Sequence, residues 1–186
     1  MKFLILSVIV LMSLPVSYGI TCISEGRKQE LMELAFTDFD QSMGHGWREF
    51  AKPGCYLETA LLLDQYFELH KEKLVRWQRS ILTWHAGQMY AFNNNYSVAK
   101  TRFLSSLNPE EPATTEIMWN DYVYASVAFL DKDFETLKKH RDIIADGPTF
   151  NGKKQNLWVV DNFIKCFNEP YAYAYSGCGR TEERSQ

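Results

Sequence analysis

The sequence predicts an all-α protein, and three observations lead there. Apolar residues recur at three- and four-residue steps through most of the chain, no segment keeps a period-two alternation of β-branched residues, and helix pairs repeat at a nearly fixed interval. The repeat is read from the turns. Phe50, Tyr90 and Ala128 each stand six residues before Tyr56, Tyr96 and Phe134, which in turn stand three before Thr59, Ala99 and Leu137. The units are therefore spaced by 40 and 38 residues, with an aromatic or apolar residue before each tight turn and an aromatic after it.

Taken in order, the chain opens with one lysine, an apolar run from Phe3 to Leu14, Pro15, and the small residues Ser17 and Gly19. This is the pattern of a signal peptide, since the run is too short to cross a hydrocarbon core of about 30 Å. Cleavage is expected after Gly19, since Ser17 and Gly19 are small at the two positions a signal peptidase reads, and lipidation of Cys22 is not expected because Thr21 is a poor residue to precede it. Residues 20–186 are then expected to form a single helical domain.

Ser24 is placed to cap a first helix that carries Leu31, Leu34 and Ala35 as far as Phe39. Met43-Gly44-His45-Gly46 interrupts it, and Trp47 to Ala51 reads as a short helix stopped by Pro53-Gly54. The helix from Tyr56 to Leu69 is apolar nearly all round and is expected inside. Further helices are expected over Lys73–Phe92, Tyr96–Leu107, Met118–Leu130, Phe134–Ala145 and Gln155–Phe167. A loop runs from Glu110, with Pro112 in it and a cap at Thr114 or Thr115, and Asp146-Gly147-Pro148 ends the Phe134–Ala145 helix.

Charge narrows the partners. Without Lys2 the chain carries 19 basic and 23 acidic residues, and its densest basic stretches, Lys71–Arg79 and Lys138–Arg141, read as solvated helix faces. Nucleic acid is not expected to bind, because phosphate recognition needs clustered cations. The partner expected is a protein or peptide, with no membrane span and no cofactor; the oligomeric state is left open.

All four cysteines, Cys22, Cys55, Cys166 and Cys178, follow the expected cleavage point. An even count in an exported chain implies two disulfides. Three connectivities are possible. Cys22 with Cys55 and Cys166 with Cys178 is favoured, because Pro170 ends a helix and lets the tail fold back. No pair has C-x-x-C spacing and none lies at helical distance from a histidine, so no metal site is expected.

In the middle unit, Gly87, Tyr90, Tyr96 and Ala99 stand at the spacings of a tetratricopeptide repeat, and Phe103 and Ser106 continue the match. The chain from Trp84 onward thus resembles that family, with the following unit departing at Leu137 and Arg141 and the first keeping only its turn aromatics. As a whole it also resembles small exported proteins of bacteria. The resemblance implies a short solenoid of antiparallel hairpins with a C-terminal capping helix. It also implies a concave peptide-binding surface on the first helix of each hairpin, at Ile81, Trp84, Gln88 and Phe92, then Trp119, Tyr122, Ser126 and Phe129. The alternative is that the last helix fills that concavity and makes Trp84 and Trp119 core residues.

No catalytic constellation is legible. His85 shares no helix face with His45, His70 or His140, and carboxylate pairs such as Asp38 with Asp40 or Glu110 with Glu111 are not placed in a cleft by the sequence. The expected function is an exported binding module of the cell envelope, periplasm or secreted space. The competing readings are an envelope-acting hydrolase and an inhibitory or immunity-type accessory protein. If the two-bridge reading holds, titration of the denatured mature chain finds no free sulfhydryl; a stoichiometric thiol contradicts it.

Overall fold

The computed structural model describes residues 21–110 and 117–178. The expected leader, and the cap expected at Thr114 or Thr115, lie outside the described residues. Among the described residues eight α-helices follow one another: α1 (Glu25–Met32), α2 (Tyr56–His70), α3 (Arg76–Phe92), α4 (Tyr96–Ser105), α5 (Trp119–Asp131), α6 (Phe134–Asp146), α7 (Leu157–Lys165) and α8 (Tyr171–Ser176). A π-helical turn (Thr37–Gln41) and a 3-10 turn (Gly46–Phe50) lie between α1 and α2. Among the described residues there is no strand, only an isolated bridge between Phe150 and Lys153.

Helices consecutive in sequence pack as antiparallel hairpins, α2 on α3, α3 on α4 and α5 on α6, with α4 on α5 joining the pairs. α7 then packs on α5 and α6, and α8 on α7 and α3. The turns use the chemistry their sequences offer. Asn94 and Lys132 take left-handed backbone after α3 and α5, and the Asp133 side chain accepts from the Thr136 amide 3.0 Å away to start α6.

One close approach fixes the middle hairpin. A Cβ on Gly87 would stand 2.6 Å from Cδ1 of Phe103, so α3 and α4 meet at a distance that only glycine allows there. Ala99 and Phe103 of α4 are both fully buried at this crossing.

The first helix is shorter than its pattern predicts. Ser24 accepts from the Arg27 amide as expected, but α1 ends at Met32 and the chain widens into the π-helical turn. That turn buries two consecutive side chains, Phe39 and Asp40, which the 100° step of an α-helix would point in different directions. Phe39 stacks on Tyr66 with ring centroids 3.7 Å apart. Gly46 follows with φ +60, its Cα pressed so close to the Phe39 carbonyl that any side chain would collide with it.

α2 also departs from expectation. Thr59, Ala60, Leu62, Leu63 and Tyr66 are buried, Tyr66 against Phe39, whereas Leu57, Leu61 and Leu69 lie exposed, Leu61 at 54%. The helix is apolar all round but covered on one face alone. α7 is shorter than the expected last helix, and the chain does not end its regular structure there. Pro170, which cannot continue a helix, supplies fixed φ and a missing N–H at the start of α8.

Both expected disulfides are present, Cys22–Cys55 with Cα atoms 5.7 Å apart and Cys166–Cys178 with Cα atoms 6.0 Å apart. The first is reinforced by Glu58, whose carboxylate accepts from the Cys22 amide at 2.7 Å and the Ile23 amide at 3.2 Å. Gly87→Ala is expected to lower stability by about 1 to 3 kcal/mol through overpacking against Phe103, read as a lower urea midpoint. An unchanged midpoint contradicts the close crossing.

Candidate functional site

The N-terminal half of α3 forms one wall of a cleft of about 400 Å3. Arg76, Trp77, Ser80 and Ile81 contribute from α3, and Leu107, Asn108, Ile117 and Trp119 from the end of α4 and the start of α5. Gln41 reaches it from the π-helical turn. Trp77 is 57% exposed at the mouth, with Phe36 edge-on beneath it at a centroid distance of 5.2 Å.

The floor is fixed by backbone. The Ser106 carbonyl, just past the end of α4, accepts both the Ser80 hydroxyl and the Trp119 indole N–H, the latter at 2.8 Å. The Asn120 side chain accepts from the Asn108 amide at 2.8 Å and donates to the Asn108 carbonyl at 2.7 Å, which ties the end of α4 to the start of α5. Arg76 pairs with Glu110 at 3.1 Å on the rim. The walls are therefore apolar and the rim polar, which suits the burial of an aromatic or aliphatic side chain. Ser80 is not activated as a nucleophile, since its hydroxyl is donated to a carbonyl and no base accepts from it.

Behind Gln41 lies a buried polar network that sequence reasoning left unassembled. Asp40, with no exposed surface, accepts from Trp47 Nε1 at 2.8 Å, from His85 Nδ1 at 2.7 Å and from Gln41 Nε2. Arg48 lies over the Trp47 ring at 4.3 Å and places Nη2 3.5 Å from His85 Nε2. The second imidazole nitrogen thus faces a guanidinium instead of an open site, so the Asp–His pair joins the 37–50 segment to α3. Burial would raise the Asp40 carboxyl, but the hydrogen bond and charge of His85, the Trp47 N–H and the Arg48 cation together hold it below the usual carboxylate range. The same carboxylate, after burial, helps push the Tyr66 hydroxyl up to about 12.

The eight residues that the resemblance assigns to ligand binding are divided by the fold. Ile81 and Trp119 line the cleft. Trp84, Gln88, Tyr122, Ser126 and Phe129 are buried, and Phe92 is half-buried. The cover is the C-terminal pair: Tyr171 of α8 packs on Phe92 and Phe129, Tyr175 on Phe92, and Phe163 of α7 on Phe129 with centroids 4.6 Å apart. Trp84 meets Trp119 and Tyr122 at 5.2 and 4.7 Å beneath them.

Of the residues that line the cleft, sequence reasoning assigns only Ile81 and Trp119 to binding, and Trp77 and Ile117 are among those it misses. A tryptophan inside the basic run Lys71–Arg79 is the signal that could have found Trp77, because a solvated face rarely spends one there. Among the described residues no group of three or more His, Cys, Asp or Glu side chains is placed to hold a metal ion, and no helix is long and apolar enough to cross a membrane. Comparison with family models, curated proteins and solved structures returns no match.

Asp40→Ala breaks a buried charged network and is expected to cost about 3 kcal/mol at pH 7. A carboxylate whose pKa falls on folding stabilises above its unfolded pKa of about 3.9 and loses that contribution as pH drops through the folded value. The gap between wild type and Asp40→Ala should therefore narrow in urea titrations at pH 3. A gap that stays constant contradicts an ionised Asp40.

Proposed function

We propose that this chain is an exported, tetratricopeptide-like binding module that holds a protein or peptide segment by an apolar or aromatic side chain in the α3–α5 cleft. The observation that carries the reading is Trp77, a large aromatic left exposed at the mouth of a preformed apolar cleft lined by Ile81 and by Trp119, whose indole N–H is held by the Ser106 carbonyl. Aromatic anchors in such pockets dominate binding energy. The two disulfides support an oxidising compartment, as does the short apolar run at the N-terminus. The Gly87, Tyr90, Tyr96 and Ala99 spacing supports the repeat assignment. The binding reading is favoured over hydrolysis by the chemistry of the polar groups, since Ser80 and His85 are both committed to partners that leave no nucleophile and base aligned.

The test is site-directed photo-crosslinking in envelope or secreted fractions. A photoreactive residue at position 77 is compared with one at position 158, where Trp158 is equally exposed on α7, far along the sequence from the cleft. The expected result is one discrete adduct from position 77 that is lost when Ile81 is also changed to Asp. Equal labelling from both positions contradicts the cleft as the contact site.

A further inference from the structure

We infer that α8 is a displaceable plug, an intramolecular ligand seated on the α3–α5 face and locked there by the Cys166–Cys178 bridge, and that the face beneath it is a second binding surface for a short helix bearing two aromatics four residues apart. The inference is independent of the cleft. It rests on how α8 is held. Six residues make a helix too short to persist alone, so its order comes from the surface that receives it. That surface receives mainly two rings: Tyr171, fully buried against Phe92, Phe103 and Phe129, and Tyr175, against Phe92 and Phe163.

The contact is polar where a permanent core is not. Gln88 of α3 is buried beside Tyr171 of α8. The Tyr171 hydroxyl is buried beside the Gln88 side chain without a hydrogen bond of good geometry. Buried polar atoms left incompletely paired call for an explanation beyond stability. A face built to take alternative occupants supplies one.

The entry to α8 is pinned and its exit is bridged. Lys132 Nζ donates to the Phe167 carbonyl at 2.6 Å and the Glu169 carbonyl at 3.3 Å, and the Tyr171 amide donates to the Tyr96 hydroxyl at 3.2 Å. Beyond Ser176, the covalent tie is Cys178 to Cys166, of which Cys166 is the more exposed partner. Release is thiol–disulfide exchange with an external dithiol. One of its thiolates attacks a bridge sulfur and forms a mixed disulfide with expulsion of the other cysteine as thiolate. The second thiolate of the reagent then attacks the reagent's own sulfur in that mixed disulfide and expels the remaining protein cysteine as thiolate, leaving both protein cysteines reduced and the dithiol oxidised to its own disulfide.

The test uses the full mature chain, oxidised wild type beside Cys166→Ser/Cys178→Ser. Chymotrypsin cleavage after Tyr171, Tyr173 and Tyr175 is followed by mass spectrometry together with hydrogen exchange of α2 to α6. The expected result is cleavage about 100-fold faster in the variant, the constraint a bridge of this loop length places on opening, with α2 to α6 still protected. A fluorescent peptide of residues 169–177 then binds the variant and not the oxidised wild type, and loses binding when both Tyr171 and Tyr175 are replaced by alanine. Equal cleavage rates overturn the lock. Loss of protection throughout the bundle makes α8 ordinary core, and faster cleavage without peptide binding removes the second surface; either overturns the proposal.

Discussion

The ring of Phe103 lies directly on Gly87, and the bundle is organised around that contact. Because α3 has no side chain at that point, α4 comes close enough for Phe103 to reach the aromatic cluster on the far side of the hairpin. Trp84 packs on it at 4.3 Å and Tyr171 at 6.1 Å. Tyr122 and Phe129 of α5 then complete a continuous set of rings through Trp84 and Tyr171. A side chain at position 87 would separate the two helices and, with them, every ring that converges on Phe103.

With that crossing fixed, α3 is clamped along most of its exposed length. Asp40 and Trp47 hold the 37–50 segment against His85 in the middle of the helix. α8 covers its C-terminal part through Phe92. The N-terminal part, from Arg76 to Ile81, is left beside the start of α5, and the cleft is the space that remains. A buried carboxylate with several donors and a short disulfide-tethered helix thus decide between them which stretch of α3 meets solvent.

The helix pairs were legible because their turns carry local chemistry that needs no tertiary context. Asn94 and Lys132 sit where left-handed backbone is needed, Asp133 and Ser24 cap, and the cysteine spacing suits the two bridges found. The less legible features depend on what covers a surface. Leu57, Leu61 and Leu69 match a buried helix in composition, yet no element lies over them among the described residues. Thr37–Gln41 continues the apolar rhythm of α1, but packing both Phe39 and Asp40 inward requires a wider turn. Pro170 reads in the sequence as a stop, and the same fixed φ also starts α8. Of the eight residues assigned by resemblance, the split between cleft and interior turns on α7 and α8, and the alternating Tyr-Ala-Tyr-Ala-Tyr of α8 hides the one helical step, Tyr171 to Tyr175, that packs inward.

The closed face of α3 can be measured directly with the chain's five tryptophans. Fluorine-labelled indoles at positions 47, 77, 84, 119 and 158 give separate NMR signals, and a soluble paramagnetic agent broadens each according to its access to solvent. The arrangement described predicts strong broadening at Trp77 and Trp158, less at Trp119, and protection at Trp47 and Trp84. Broadening of Trp84 to the same degree as Trp77 would contradict it, because the face that α5, α7 and α8 cover would then be open to solvent.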